Sequence, residues 1–500
     1  MNLKRVLLAI ISFLCLYTII FALAQSLSEP QVQARLELYQ TDLILHASEL
    51  KHDSLSSDTS SKNLKNFSKT LIGGNPYSVA KTQYQDVINL TQDSLNKLQK
   101  AELNNQLLVS DTPKKKLTEE LVKNKKLLQE LKIKLGLLHI KQDEIGKAIA
   151  IWNKLEDNKI AIILTNLWSK DPQISNQSLE IIQSKLDGWF RYTALAKLYK
   201  IDNNKEALLN LENQEQILAQ KAVNRLIILS IIPGLGGLIG FGLIIFLGIQ
   251  LIVKKEDSIL ALNNNLTWES PWNWEIIWQV LILGFFFISQ IFLPLLFGFL
   301  GFNPVNFSIR GKAFYVLATY ILMSMSGLLV LYVSIKSFLP LPKDWFNWKD
   351  RKWFLWGIGG YVVAIPCVFL VSFFNQQLWD GQGGSNPLLF LALQAQDKVA
   401  LAIFFFTASI AAPIFEEIMF RGFLLPSLTR YLPIWGAILV SALIFALAHL
   451  SLAEVLPLAT LGIILGFVYS KSRNILSSIL IHSLWNGGTL FSLFVLGSNL

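Results

Sequence analysis

The sequence predicts an all-α, polytopic membrane protein: a bundle of eight or nine transmembrane helices with a helical extramembrane domain near its N-terminus. Three observations predict it. Hydrophobic residues make up 52% of the 500 and charged residues only 16%, against about 25% charged in a soluble chain. The average conceals two populations, a polar, lysine-rich stretch from about Gln25 to Gln220 and a succession of apolar runs from Leu226 onward. Ionisable groups then recur inside the last of those runs, at Glu416, Glu417 and Arg421, at His449, and at His482 with Asn486 close by. Each charge at the centre of a membrane helix costs about 2.5–3.5 kcal/mol on insertion scales, so a chain that keeps several marks a functional site.

Taken in order, Val6–Ala24 follows Lys4 and Arg5 and is long enough for a span of about 20 residues. Residues 1–24 read as a signal anchor or a signal peptide. Ala22-Leu23-Ala24 before Gln25 fits a cleavage pattern, while the length of the run favours retention. Residues 25–222 form the polar helical domain. Ser54–Lys69 reads as a linker. Leu117–Leu138 repeats Leu, Val and Ile at three- and four-residue steps, as an amphipathic helix does. Leu135-Gly136, His139 and Ala148 are spaced like a tetratricopeptide helix pair, with a weaker echo at Leu195, Tyr199 and Ala207. Such a repeat implies a surface for docking a protein partner or peptide; an irregular helical domain is the alternative. His46, His52 and His139 have no partner spacing and read as surface or packing residues.

Accessory spans follow over 223–398: Leu226–Val253, Ile276–Leu300, Phe314–Ser337 and Phe354–Phe374. The last hundred residues, 399–500, hold Leu401–Leu425, Ile434–Leu450, Val455–Ser470 and Ile475–Leu496. Trp268, Trp272, Trp274 and Trp278, and again Trp345, Trp348, Trp353 and Trp356, read as headgroup-level belts. With the N-terminus inside, Lys254, Lys255, Lys343, Lys349, Arg351, Lys352, Arg430, Lys471 and Arg473 fall on inside loops, in agreement with the positive-inside bias. The polar domain is then non-cytoplasmic, in a bacterial-type plasma membrane or an organelle membrane of similar origin. In a membrane protein a net charge of +9 more often reflects such loops than nucleic-acid binding. No compact basic stripe with interleaved aromatics suggests nucleic acid. Cys15 and Cys367 lie in apolar spans and offer neither a disulfide framework nor a cysteine metal site.

The chemistry is concentrated in three motifs. In Ala412-Pro413-Ile414-Phe415-Glu416-Glu417, the proline disrupts the helix before it and suits the first turn of the helix after it. Glu417 and Arg421 are four apart and share a face, whereas Glu416 is rotated about 100° away. Glu417 is therefore expected to pair with Arg421, leaving Glu416 for general-base work; an ion pair at the membrane surface is the plainer reading of Glu417 and Arg421. Phe445 lies one turn before His449 and could wall a dry pocket. His482 and Asn486, four apart, could donate to a developing oxyanion or bond between helices.

In this order, Glu-Glu-x-x-x-Arg at 416–421, Phe-x-x-x-His at 445–449 and His-x-x-x-Asn at 482–486 resemble the CPBP family of intramembrane proteases, also called the Abi family, which includes the CAAX prenyl endopeptidases. The resemblance covers about Ala400 to the C-terminus. A glycine motif between the histidines is met approximately, by Gly462 and Gly466. The resemblance implies peptide-bond hydrolysis in or beside the membrane. Glu416 and His449 would activate water, His482 and Asn486 would hold the oxyanion, and Glu417, Arg421 and Phe445 would support the site. Members have been described both as zinc enzymes and as metal-free glutamate proteases. The chain has no His-Glu-x-x-His, and the metal-free form is expected; zinc, if used, would fall to Glu416, His449 and His482.

Two other classes compete. A non-catalytic scaffold would recruit partners through the polar domain, and a transporter would spread its polar residues along a path. The nine-span topology also carries a tension. It sets Glu416 in the cytoplasmic half and ends the His449 span at the opposite face, unless a helix near Pro413 is short or re-entrant or a span is tilted. The membrane lipid and a peptide or membrane-protein substrate are the expected partners.

Overall fold

A computed structural model describes residues 3–497 except 28, 30, 52–73, 106–110, 156, 262–266, 303, 305–306, 343–344, 349–351, 380 and 395–396. The Ser54–Lys69 linker expectation and His52 lie outside the described residues. The chain divides into two compact units, one built from segments 1–31 and 231–497, the other from 32–230. Among the described residues both units are helical and contain no extended strand.

The polar unit holds α2 (Gln33–Ser48), α3 (Pro76–Asn105), α4 (Asp111–Ile140), α5 (Ile145–Trp152), α6 (Lys159–Leu167), α7 (Ser178–Lys185) and α8 (Gly188–Ile201), and the boundary between the units falls inside α9 (Lys205–Asp257). On α4, Leu128, Leu131, Leu135 and Leu138 are buried at helical steps against a core that includes Trp152, Trp189 and Phe190. Gly136 has no side chain because the Trp152 indole occupies that space; the indole N–H donates to the Ile133 carbonyl at 3.2 Å. The turn after α4 is tied by Glu144, which takes His139 Nδ1 at 2.6 Å and Lys147 at 2.7 Å. His46 is buried with its Nδ1 2.6 Å from Glu215 and its Nε2 3.9 Å from Asp42. Histidines 46 and 139, expected to be plain packing residues, thus hold polar ties between segments.

The protein is an integral, multi-pass membrane protein. Among the described residues eight helices are long and apolar enough to cross a bilayer: α1 (Leu3–Ser26), α9, α10 (Trp274–Phe299), α11 (Ile309–Phe338), α12 (Trp353–Trp379), α14 (Lys398–Leu428), α16 (Leu452–Ser472) and α17 (Ile475–Gly497). Between them lie the short α13 (Pro387–Gln394) and α15 (Ile434–Leu447). Among the described residues eight of the nine expected runs are met by the long helices, and the ninth, Ile434–Leu450, is met by α15, which has only 14 residues. At 1.5 Å per residue it is about 21 Å long, short of the roughly 30 Å hydrocarbon core.

The first helix is integrated into the bundle. Lys4 and Arg5 pair with Glu275 at 3.0 and 2.9 Å, Ser12 Oγ accepts from the Trp278 indole at 2.7 Å, and Cys15 is buried. The tryptophans do not all form belts. Trp272 is fully buried, lies 4.7 Å from the Trp345 ring and donates to Ser427 Oγ at 2.9 Å, while Trp268 stacks on Tyr469. An indole whose N–H finds a partner can pack in a core as a large apolar body. Trp274 and Trp348 remain exposed.

Candidate active site

The helix that carries the acidic pair is unusual in its backbone. α14 begins with Asp397, whose carboxylate caps the amides of Val399 and Ala400. It runs on through Pro413 without a break, because its turns widen on either side: Thr407–Ala411 and Ile418–Leu424 are π-helical and Ala412–Glu417 is α-helical. The sequence led us to expect an interruption at Pro413. The wide turn absorbs the proline instead. The Ala412 amide bonds back to the Thr407 carbonyl, five residues earlier. The next bond in that pattern would run from residue 413 to Ala408, and proline has no N–H to make it. Asn486 Nδ2, from α17, donates to the Ala408 carbonyl at 2.8 Å.

Glu416 and Glu417 leave this helix in different directions. Glu417 is fully buried and its Oε1 accepts from Arg421 Nη1 at 2.9 Å and meets His482 Nδ1 at 2.9 Å. Arg421 is also fully buried, so the pair is not a surface ion pair; its Nη2 donates to the Gly462 carbonyl at 3.0 Å. Gly462 permits that approach, since a Cβ there would come within 2.9 Å of Ala442 Cβ and 3.2 Å of Arg421 Nη2. Removing one partner of such a buried pair leaves an uncompensated charge and costs about 3–5 kcal/mol. Glu416 is 14% exposed, and its Oε1 accepts from the Tyr320 hydroxyl at 2.9 Å. Its Oε2 is buried without a hydrogen-bond partner and lies 3.9 Å from His482 Nε2.

Phe445 gathers the remaining groups. Its ring centre lies 5.0 Å from that of His449 and 5.5 Å from that of His482, both edge-on, and 4.5 Å from the Arg421 guanidinium carbon. His449 Nδ1 meets the Phe445 carbonyl at 2.9 Å. Both imidazoles thus lie against one phenyl ring. The shortness of α15 removes the conflict raised by a full-length span, since that helix stops at Leu447. The structure brings Glu416, Glu417, Arg421, His482 and Phe445 into one cluster, which His449 joins through Phe445, while Asn486 is engaged with Ala408. Among the described residues no three His, Cys, Asp or Glu side chains are arranged to hold a metal ion. An apolar cavity of about 260 Å³ lies beside the cluster rather than in it, lined by Phe404, Phe405, Leu490 and Phe494. Phe405 also faces Gly487, next to Asn486.

Residues 398–488 match the model of the Rce1-like type II CAAX prenyl endopeptidases. This C-terminal core belongs to the CPBP family of membrane-embedded proteases. Two curated relatives match over about two-fifths of the chain, and a third over a shorter stretch. The membrane-embedded CAAX protease MroQ of Staphylococcus aureus (strain USA300) is 26% identical over 222 residues, 42% of this chain and 87% of MroQ. YdiL of Bacillus subtilis (strain 168) is 25% identical over 215 residues, 43% of this chain and 85% of YdiL. The UPF0177 protein YxdF of Lactococcus lactis subsp. lactis (strain IL1403) is 36% identical over 87 residues, 17% of this chain and 48% of YxdF. No solved structure matches the chain.

One residue that touches the cluster was not singled out from sequence. Tyr320 lies on α11, in the accessory helices and outside residues 398–488, which the family model matches. The signal was its position, 11 residues past Ile309 at the start of that helix, whereas membrane tyrosines usually collect at the interfaces.

Proposed function

We propose that the protein is an intramembrane endopeptidase that hydrolyses a peptide bond with water activated by Glu416. One observation carries the reading. Glu416 Oε2 is a buried carboxylate oxygen without a hydrogen-bond partner, facing His482 Nε2 across 3.9 Å. A gap of that size between two polar atoms is suited to a bridging water.

Glu416 is held at Oε1 and takes the water proton at Oε2 as the oxygen attacks the carbonyl. Glu417 fixes the His482 ring through Nδ1, so Nε2 points into the same space. This is the role a carboxylate plays behind a catalytic imidazole. From there His482 serves the oxyanion or the leaving amine. Asn486 has two amide hydrogens; one holds Ala408, and the other is available to the oxyanion. His449 Nδ1 is held by the Phe445 carbonyl, which leaves Nε2 to assist water activation. On this reading the mechanism is metal-free, as the lack of a His-Glu-x-x-His motif led us to expect. The substrate is a peptide or membrane protein presented from the bilayer, and the names of the family model and of MroQ bring prenylated CAAX peptides into that class.

Quantitative membrane proteomics on cells carrying wild-type or Glu416→Ala protein tests the reading. A peptide terminus that appears only with the wild type supports it and names the substrate. Identical termini in both, at equal expression, contradict it.

A further inference from the structure

We propose that Tyr320 is a positioning residue for the catalytic carboxylate, supplied by α11, outside residues 398–488, which the family model matches. The inference rests on the assignment of Glu416 as the base. A glutamate has three rotatable bonds, and a base must present one oxygen at a fixed place to be effective. Two features restrain Glu416. Its backbone stands in the six-residue α-helical segment Ala412–Glu417 between two π-helical turns. Its Oε1 accepts from Tyr320 at 2.9 Å, which orients Oε2 towards His482 Nε2.

Tyr320 is itself held by packing rather than by solvent. Its ring meets Phe415 edge-on at 6.2 Å, and Phe415 lies nearly parallel to Phe285 of α10 at 5.9 Å. The Phe415 ring reaches that position because Gly327 of α11 has no side chain; a Cβ there would stand 3.0 Å from the ring. Gly284 of α10 packs against α11 at the same level, where a Cβ would lie 3.2 Å from Val330. The hydroxyl is thus set by three helices and directed at one carboxylate oxygen. Tyr320 touches the base and acts through it, not on the substrate.

The test uses the full chain in lipid nanodiscs and a quenched fluorescent peptide spanning the cleavage point found by proteomics. Tyr320→Phe keeps the ring and removes the donor. A hydrogen bond to a charged group of this kind corresponds to a fall of about 10- to 100-fold in kcat, with KM nearly unchanged. 4-Aminophenylalanine at 320, which keeps an N–H donor, should restore most of that loss. Wild-type kcat in Tyr320→Phe, with Glu416→Gln inactive, overturns this inference and leaves the base assignment standing. A raised KM with unchanged kcat, or loss of kcat that 4-aminophenylalanine does not restore, also overturns it, because either marks a packing role. Full activity in Glu416→Gln would instead remove the reading beneath it. Should Tyr320→Phe fail to fold, the 4-aminophenylalanine variant decides alone: activity retained supports the proposal, activity lost contradicts it.

Discussion

Glu417 Oε1 lies 2.9 Å from both His482 Nδ1 and Arg421 Nη1, so one carboxylate oxygen ties the helix of the acidic pair to the last helix of the bundle. Glu417, expected from its spacing to pair with Arg421, therefore also links two helices of the site.

Glu417→Gln keeps the size of the side chain and removes its charge. Arg421 is then left buried and unpaired, and His482 loses the group that fixes its ring. We expect destabilisation of about 3–5 kcal/mol together with loss of peptide cleavage. Thermal unfolding in detergent and the peptide assay read the two effects separately.

Asn486→Ala leaves the Ala408 carbonyl without its side-chain donor beside a proline that cannot replace it. Ala408 is half-buried, so the expected cost lies towards the lower end of the roughly 1–3 kcal/mol for a buried unsatisfied group, about 1 kcal/mol. Its local signature is faster amide exchange over the wide turn at Thr407–Ala411, measured by mass spectrometry. Exchange there at the wild-type rate would show that Asn486 does not support that turn.

Gly462→Ala places a methyl 2.9 Å from Ala442 Cβ and 3.2 Å from Arg421 Nη2. The α15–α16 contact must open or Arg421 must give up the Gly462 carbonyl. Overpacking of this kind costs about 1–3 kcal/mol, and activity should fall with it. Gly466, close to Leu425 and Ile438, should tolerate alanine better, because its nearest neighbours are side-chain ends.

The polar domain should show its own pH response. Burial disfavours the charged form of His46, but its bond to Glu215 and the charges of Asp42 and Glu215 outweigh this and raise its pKa above 6.5. A raised histidine pKa contributes stability that is complete below the unfolded value. It is lost as pH rises through the folded value. Glu144 has the opposite sign. Lys147, His139 and Lys81 lower it from 4.5 to about 2, so its contribution is present above 4.5 and lost as pH falls towards 2. Hydrogen exchange of α2 in the intact protein should quicken above neutral pH, and replacing His46 with Gln should flatten that response.

Metal analysis of purified, active protein should find no stoichiometric zinc, and chelation should leave cleavage unchanged. Zinc at one per chain, removed together with activity, would reverse this expectation.

Much of the fold was legible because membrane helices announce themselves locally. The apolar runs located the helices of the bundle, and the four-residue spacing of Glu417 and Arg421 set them on one helix face. What was not legible depended on partners distant in sequence. Nothing beside Tyr320 reveals that α11 packs it against Glu416. Nothing beside Trp272 shows that Ser427 satisfies its indole and draws it inside. The length of α15 was blurred because Ala448, His449 and Leu450 extend its apolar run past the point where the helix stops. Pro413 was legible as a disturbance, but its accommodation by wide turns depends on Asn486, 73 residues away along the chain.

The most direct measurement is cleavage of the proteomics-derived peptide by purified protein in nanodiscs, comparing wild type with a Glu416→Gln variant that matches it in size-exclusion profile and melting temperature. The account predicts that the wild type releases the new terminus and that Glu416→Gln releases none above background. Equal rates for the two proteins would contradict it.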